Sequence, residues 1–471
     1  MTMNKKVTKD MCGQFTSFAP IAKKMRHEGL PDIVIKNFAY YYEQVHSGQT
    51  GMIPEVSITP VESLPNADAF SDNADLLAAG EAALGQTVVL KLNGGLGTGM
   101  GLSRAKSLLS VKDGHTFLDI IANQALESDT PLVFMNSFST QDDTLAVLAK
   151  YPALQGDIPL DFLQNKVPKI NQSDLSAVEW PDNPAFEWCP PGHGDIYVAL
   201  ITSGMLDTLL DAGYKYVFVS NSDNLGAVMD TSILGYFVSN DLPFMMEVAN
   251  RTESDRKGGH LAQAEGGQLI LRESAQCPKA DQAAFEDIRR HKYFNTNNLW
   301  LNLHAFRQLM VEQDNVLGLP LICNTKTVDP RDGASTPVYQ LETAMGSAIG
   351  IFPGSGAVCV SRNRFAPIKT TNDLLAVRSD AYILTGDYRV VLEPTRSEPP
   401  FIQLDSMFCK LINDMEARFP AGTPSLINCE SLSVSGDVIF GRNIVIEGNV
   451  KIVNSTTEPT VIADGTHIVG E

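Results

Sequence analysis

Between Val88 and Leu109 the chain reads VVLKLNGGLGTGMGLSRAKSLL, with glycine at positions 94, 95, 97, 99 and 101. Glycine at that density packs nothing and loses the most backbone entropy on folding, which excludes an ordinary strand or helix. Bare backbone instead permits close approach, so that amide N–H groups can face anionic oxygens directly. The apolar run Val88–Leu90 predicts a buried strand before the loop, and helix-compatible residues return from about Arg104. Two cations, Arg104 and Lys106, stand at the far end. Phosphate binding is the chemistry this combination serves. It is not a Walker loop, since no G-x-x-x-x-G-K-[ST] occurs, and Leu102 stands where a G-x-G-x-x-G counted from Gly97 needs its last glycine.

A second chemical position is Asp223, at the end of VFVSNSDN. A carboxylate at the carboxyl end of a strand suits Mg²⁺, which takes one or two carboxylates together with phosphate oxygens. The same aspartate could instead cap the following helix. Asn221 and Ser222 would line the same pocket. No convincing nucleophile–base pair occurs, so electrostatics rather than covalent catalysis is the expected mode.

Composition narrows the partners. With 36 basic and 55 acidic residues the net charge is −19, which opposes nucleic-acid binding and makes any phosphate site a local basic island. Seven scattered cysteines without a C-x-x-C argue against a metal cluster or a disulfide framework and for a reducing cytoplasm. No apolar run approaches the roughly 18 residues of a membrane span, so a cytoplasmic protein is expected.

Positioning these residues requires strands that end together. Strands are predicted at Thr87–Leu92, Leu132–Asn136, Tyr216–Asn221 and Phe244–Val248, each followed by a loop and a helix-like segment. Such alternation predicts an α/β fold, Rossmann-like, with a mixed or mostly parallel sheet whose ligands gather at the carboxyl ends of its strands. Residues 13–46 have the spacing of two helices, and 48–65, rich in Gly and Pro, read as an extended linker. Near the end, Val434, Phe440, Ile446 and Ile452 recur every six residues, as do Val438, Ile444 and Val450. That period predicts a left-handed parallel β-helix, too short for an acyltransferase site and suited to assembly. The expected domains are 1–85, 86–384 and 385–471.

KLNGGLGTGMGLSRAKS closely resembles the opening loop of the UTP–glucose-1-phosphate uridylyltransferase family of eukaryotic type. Arg104-Ala105 replaces a Gly-Pro common there, but Lys106 is kept. Further matching strings follow in family order: FMNSF, PPGHGD, NSDN, FNTNNLW, LETAMG and RFAPIKTTNDLL. The resemblance covers nearly the whole chain from residue 86 and implies a GT-A-like nucleotidyltransferase domain. It also implies that glucose 1-phosphate attacks the α-phosphorus of UTP, with Mg²⁺ as cofactor.

By the same resemblance Lys369 is the catalytic lysine, and Lys106 holds the β- and γ-phosphates. Leu92, Asn93, Gly94, Gly95, Gln164 and Gly192 bind nucleotide with Asp223, which also takes the metal. Gln164 would read uracil through its amide, and Gly192 would let backbone approach the base. His193, placed between two glycines on an exposed loop, would touch the sugar phosphate with Asn221 and Ser222. Asn297, Asn298, Leu299 and Glu342 would meet the hexose. Two alternatives stay open: a relative using N-acetylglucosamine 1-phosphate or several sugar phosphates, and a non-catalytic scaffold that binds sugar nucleotides. A homo-oligomer through the β-helix is a further expectation.

Overall fold

A computed structural model describes residues 17–470. Its first helices, Ala19–His27 and Asp32–His46, turn at Gly29 and bury Ile21, Met25, Ile35, Phe38 and Tyr42. That face packs on Val167, Ile170, Val198, Leu321 and Leu341, so the helices lie directly on the strand-and-loop framework behind them. Residues 13–16, the start of the expected helical region, lie outside the described residues.

Ten strands form the main sheet: β1 (Ile58–Pro60), β2 (Thr87–Asn93), β3 (Leu132–Asn136), β4 (Asp161–Leu163), β5 (Tyr216–Asn221), β6 (Phe244–Asn250), β7 (His260–Ala264), β8 (Leu269–Arg272), β9 (Tyr293–Asn302) and β10 (Gly356–Cys359). The order is β1-β7-β9-β5-β2-β3-β4, with β6 pairing β9 and β10, and β8 pairing β7. β5, β2, β3 and β4 are mutually parallel, as are β6 and β10, while β9 runs antiparallel to β5, β6 and β7. The fold is thus mixed α/β, with its parallel part where the glycine-rich loop leaves the sheet. β1 departs from the expected linker. Its residues pair antiparallel with Ala262–Ala264, and an edge strand tolerates Pro60 because its outer side needs no N–H.

All seven residues of β2 are buried, as a strand covered on both faces must be. Val88, Leu90 and Leu92 join Val133 and Met135 in one core, and Val89 joins Phe134, Phe218 and Trp300 in the other. The helix after the glycine-rich loop begins later than its composition suggests. Short 3₁₀ turns at Thr98–Met100 and Lys106–Leu108 and a small hairpin precede Phe117–Glu127, whose start Thr116 and Asp119 close with a reciprocal capping box.

Toward the C-terminus, Ser425–Ser435 pairs in parallel with Phe401–Gln403 and with Val445–Val453, which pairs in parallel with His467–Val469. Val438–Phe440 pairs in the same sense with Thr460–Ile462. Val434, Val438, Phe440, Ile444, Ile446 and Val450 are buried, so the six-residue periodicity does mark an inward face. This region also reaches the glycine-rich loop: a Cβ on Gly101 would come within 3.2 Å of Leu411.

Candidate active site

The carboxyl ends of β2, β3 and β5 converge on one polar floor. Asn93 donates through Nδ2 to Asn136 Oδ1 at 2.9 Å and to Thr144 Oγ1 at 2.8 Å, and its Oδ1 accepts from Ser222 Oγ at 3.1 Å. Because these side chains are buried, each unmade bond would cost desolvation without return, so the set specifies one arrangement. The loop is tied down at both ends. Thr140 Oγ1 donates to Asn93 O at 2.7 Å, Ser137 Oγ to Gly94 O at 3.0 Å, and Lys106 N–H to Gly95 O at 3.1 Å. Leu92 is itself buried and serves through backbone, its carbonyl accepting Ser222 N–H at 3.0 Å. No heavy atom lies within 4 Å of where a Cβ on Gly95 or Gly99 would stand, so these stretches present bare backbone to open space. Ala105 N–H donates to Asp143 at 3.3 Å, a bond that the family's usual proline could not make.

Lys106 and Asp223 meet here. Their Nζ and Oδ2 stand 2.6 Å apart, with the carboxylate at the end of β5 and the ammonium at the loop exit. Asp223 O accepts Ile368 N–H at 3.1 Å, and Asn224 bridges Pro367, so the segment carrying Lys369 is laid against NSDN. Lys369 itself is exposed, its Nζ 5.6 Å from the Phe365 ring centroid. Thr370 and Asp373 form a capping box just behind it, which starts the helix Thr371–Arg378 and stiffens its base.

Beneath this segment lies a buried charge cluster that motif reading passes over. Glu247 on β6 is fully buried and accepts from Trp300 Nε1 (2.9 Å), Asn298 Nδ2 (3.0 Å), Arg364 Nε (2.9 Å) and Arg364 Nη2 (2.7 Å). Lys91 is buried nearby, donating to Ser220 Oγ and Ala227 O, and burial together with the Arg364 guanidinium pulls it down to about 7. Arg364 and Lys91 both lie in stretches that match the family, RFAPIKTTNDLL and KLNGGLGTGMGLSRAKS, whereas Glu247 sits within a strand sequence; nothing local marks any of the three as part of a buried ion cluster.

The hexose candidates divide. At Glu247/Val248 the β6–β9 register shifts, and Asn297 occupies the resulting bulge at φ +59°, a conformation asparagine accepts more readily than most residues. Its side chain pairs with Asn295 at the sheet end. Asn298 is 0 % exposed and its amide is already committed to Glu247, Asn224 and Arg364 O. Leu299 lies in the apolar core under the strand. Backbone alone is what these two can offer a ligand, because adjacent strand residues point to opposite faces and both faces here are covered. Glu342 is half-buried, and burial raises its carboxyl against the opposing influence of Asn324 and Lys326. Glu273, which sequence reading missed, lies close enough to Lys369 to feel its charge, while burial raises its pKa and Asn295 lowers it.

Gln164 extends from β4, its N–H donating to Asn136 O at 2.8 Å, and its amide faces Gly94, where a Cβ would come within 3.0 Å. Gly192 also has a packing reason to be glycine. At φ +79°, its Cβ would stand 2.5 Å from Thr343 O and 2.9 Å from Thr343 N. Gly192→Ala is therefore expected to cost at least ~1–2 kcal/mol from the left-handed backbone alone. A fall in the thermal midpoint with displaced UTP affinity would show it; an unchanged midpoint would count against it.

His193 is half-buried rather than on an exposed loop, because the loop folds onto Thr343 and Met345. Its Nδ1 accepts Met345 N–H at 3.0 Å, so the neutral ring carries its proton on Nε2. Burial pushes its pKa down to about 4. The unfolded chain therefore binds the extra proton first, and this group's contribution to stability is complete above about pH 6.5 and lost as pH falls toward 4. A thermal midpoint that falls less for His193→Gln than for wild type, on going from about pH 7 to about pH 5, is the expected result. Equal falls would remove His193 from the acid response.

A polar floor under a bare loop, with lysines brought to strand ends from distant parts of the chain, defines a nucleotide-handling α/β enzyme. The family model described as UTP–glucose-1-phosphate uridylyltransferase matches residues 35–447. The enzyme of that name from Solanum tuberosum is 43 % identical over 82 % of this chain and 81 % of its own length, and that from Saccharomyces cerevisiae 41 % over 81 % and 77 %. A solved variant of UDP-glucose pyrophosphorylase from Leishmania major in complex with UDP-glucose is 45 % identical, with a TM-score of 0.91, covering 97 % of this chain and 99 % of that one. UDP-glucose phosphorylase from Trypanosoma brucei is 47 % identical with a TM-score of 0.88, covering 97 % and 100 %. The chain belongs to the UTP–glucose-1-phosphate uridylyltransferase family, and it is a nucleotidyltransferase.

Proposed function

We propose that the chain converts UTP and α-D-glucose 1-phosphate to UDP-glucose and diphosphate at the carboxyl ends of β2, β3 and β5. A phosphate oxygen of the sugar phosphate attacks the α-phosphorus, and the bond from that phosphorus to the departing diphosphate breaks. The sugar phosphate needs no general base, since a phosphate monoester's second pKa is about 6. The chain's task is to bring two polyanions together and hold the charge as the bond opens. Lys106 at the loop exit would hold the β- and γ-phosphates, and Lys369 would stabilise the α-phosphate. Bare amides at Gly94 and Gly95 would face the nucleotide, Gln164 would read uracil, and the His193 Nε2–H would donate to the sugar phosphate. Asn297 and Glu342 would meet the hexose.

Asp223 fits Mg²⁺ as a site completed by its nucleotide. It supplies one carboxylate, and no cluster of three or more metal-ligating side chains occurs among the described residues. When bound, the ion would neutralise phosphate charge. Asp223 would then exchange part of its bond with Lys106 for the cation.

The observation that carries this reading is the Ile368 N–H to Asp223 O bond of 3.1 Å, which brings Lys369 beside the acid and the glycine-rich loop. Diphosphate release with UTP, Mg²⁺ and a panel of sugar 1-phosphates tests it. Preference for glucose 1-phosphate is expected; preference for the N-acetylated sugar would reassign the substrate, and UDP-glucose binding without release would leave only a scaffold. The remaining features extend the same reading: domains at 1–85, 86–384 and 385–471, and a left-handed β-helix in the last. That β-helix would pair copies of the chain, and the compartment would be the cytoplasm. Among the described residues no helix is long and apolar enough to cross a membrane.

A further inference from the structure

Asp195 stands at the start of the helix Ile196–Thr202, where an aspartate ordinarily accepts the first free N–H groups. It makes no such cap. Both its oxygens turn instead to one residue of a distant turn: Asn165 N–H donates at 2.6 Å, and Asn165 Nδ2 lies 3.0 and 3.2 Å from Oδ1 and Oδ2. Asn165 Oδ1 in turn accepts Thr202 Oγ1 at 3.2 Å, from the last turn of the same helix. Asp195 is 5 % exposed, and no lysine or arginine pairs with it among the described residues. Tyr41, Phe38 and Val34 of the N-terminal helix close the space behind it.

Burying a carboxylate without a cation is costly, so its retained hydrogen bonds show what it is for. All of them grip the residue after Gln164. We propose that Asp195 is a positioning residue for nucleobase selection: by holding Asn165 it locks the turn on which Gln164 meets the base. This rests on the reading of Gln164 as the uracil contact. The turn is also held by the Gln164 N–H to Asn136 O bond, the Thr202 hydroxyl on Asn165 Oδ1 and the Lys166–Glu28 ion pair, but only the Asp195 carboxylate grips the backbone and side chain of Asn165 together.

The test is steady-state kinetics with UTP and CTP on the full chain. Asp195→Ala is expected to raise KM for UTP about tenfold, the effect of losing its bonds to Asn165, and to narrow the UTP-over-CTP preference. The KM for glucose 1-phosphate and kcat should move far less. Asp195→Asn keeps an oxygen that can accept Asn165 N–H but sets an NH2 against Asn165 Nδ2, donor facing donor, so it should recover only part of the loss. Parallel falls in kcat and in both affinities would overturn the proposal. Should Asp195→Ala fail to fold, Asn165→Ala must shift UTP KM and the base preference in the same direction, or the proposal is wrong. Gln164→Ala separates the two layers. If it leaves UTP KM and base preference unchanged, the base-reading assignment fails; if it changes them and Asp195→Ala does not, only the brace fails.

Discussion

Replacing Lys369 by alanine is expected to lower kcat by about a hundredfold or more while KM for UTP changes only a few-fold, the pattern of a donor whose interaction grows in the transition state. Its ammonium is exposed and is held near the Phe365 ring rather than by a carboxylate, so it has little to give up when a phosphate arrives. Its base is rigid: Lys369 N–H donates to Asp373 at 2.9 Å, and the preceding residue is bonded to Asp223. Lys106 differs, being already 2.6 Å from Asp223, so part of its interaction with the nucleotide replaces an existing one. Lys106→Ala should therefore disturb UTP binding more and turnover less than Lys369→Ala. Comparable losses in kcat and in UTP affinity for Lys369→Ala would reduce it to a binding residue.

Glu247→Ala is expected to destabilise the protein by ~3–5 kcal/mol, because it leaves a buried guanidinium without its partner. Arg364 would keep only Val228 O at 3.0 Å and Asp230 at 3.7 Å, with Trp300 Nε1 and Asn298 Nδ2 also deprived of an acceptor. Glu247→Gln keeps the shape and some of the bonds, so it should lose less. The thermal midpoint and native-state hydrogen exchange measure the effect, which should be largest around β6, β9 and residues 364–369. Turnover should fall with it, since Arg364 anchors the segment that presents Lys369. A midpoint close to wild type for Glu247→Ala would show that the cluster bears little of the fold.

The stretches most legible from residue order were those whose physics is local. Thr87–Asn93, Leu132–Asn136 and Tyr216–Asn221 announce themselves as apolar runs of strand length. Asn297 and the loop glycines needed only tolerance of unusual backbone, which residue type reveals. The edge strand Ile58–Pro60 was hidden because Pro60 and the prolines and glycines flanking the strand read as linker, whereas its pairing partner lies some two hundred residues away. Gly192 read only as room for a ligand, and the Thr343 backbone packed where its Cβ would stand had no local sign. His193, between two glycines, gave no local sign of the contacts that bury it.

By itself, residue order determined the family, the bare glycine-rich loop, the strands that carry it and the inward face of the six-residue pattern near the end. These depend on periodicity, composition and short strings, which act between neighbours. Tertiary structure alone decided that Lys106 meets Asp223, that Glu247 receives Arg364, and that Asp195 grips Asn165 instead of its own helix. Charge pairing and burial are settled by which distant elements the fold brings within a few ångströms, and no local pattern encodes that distance.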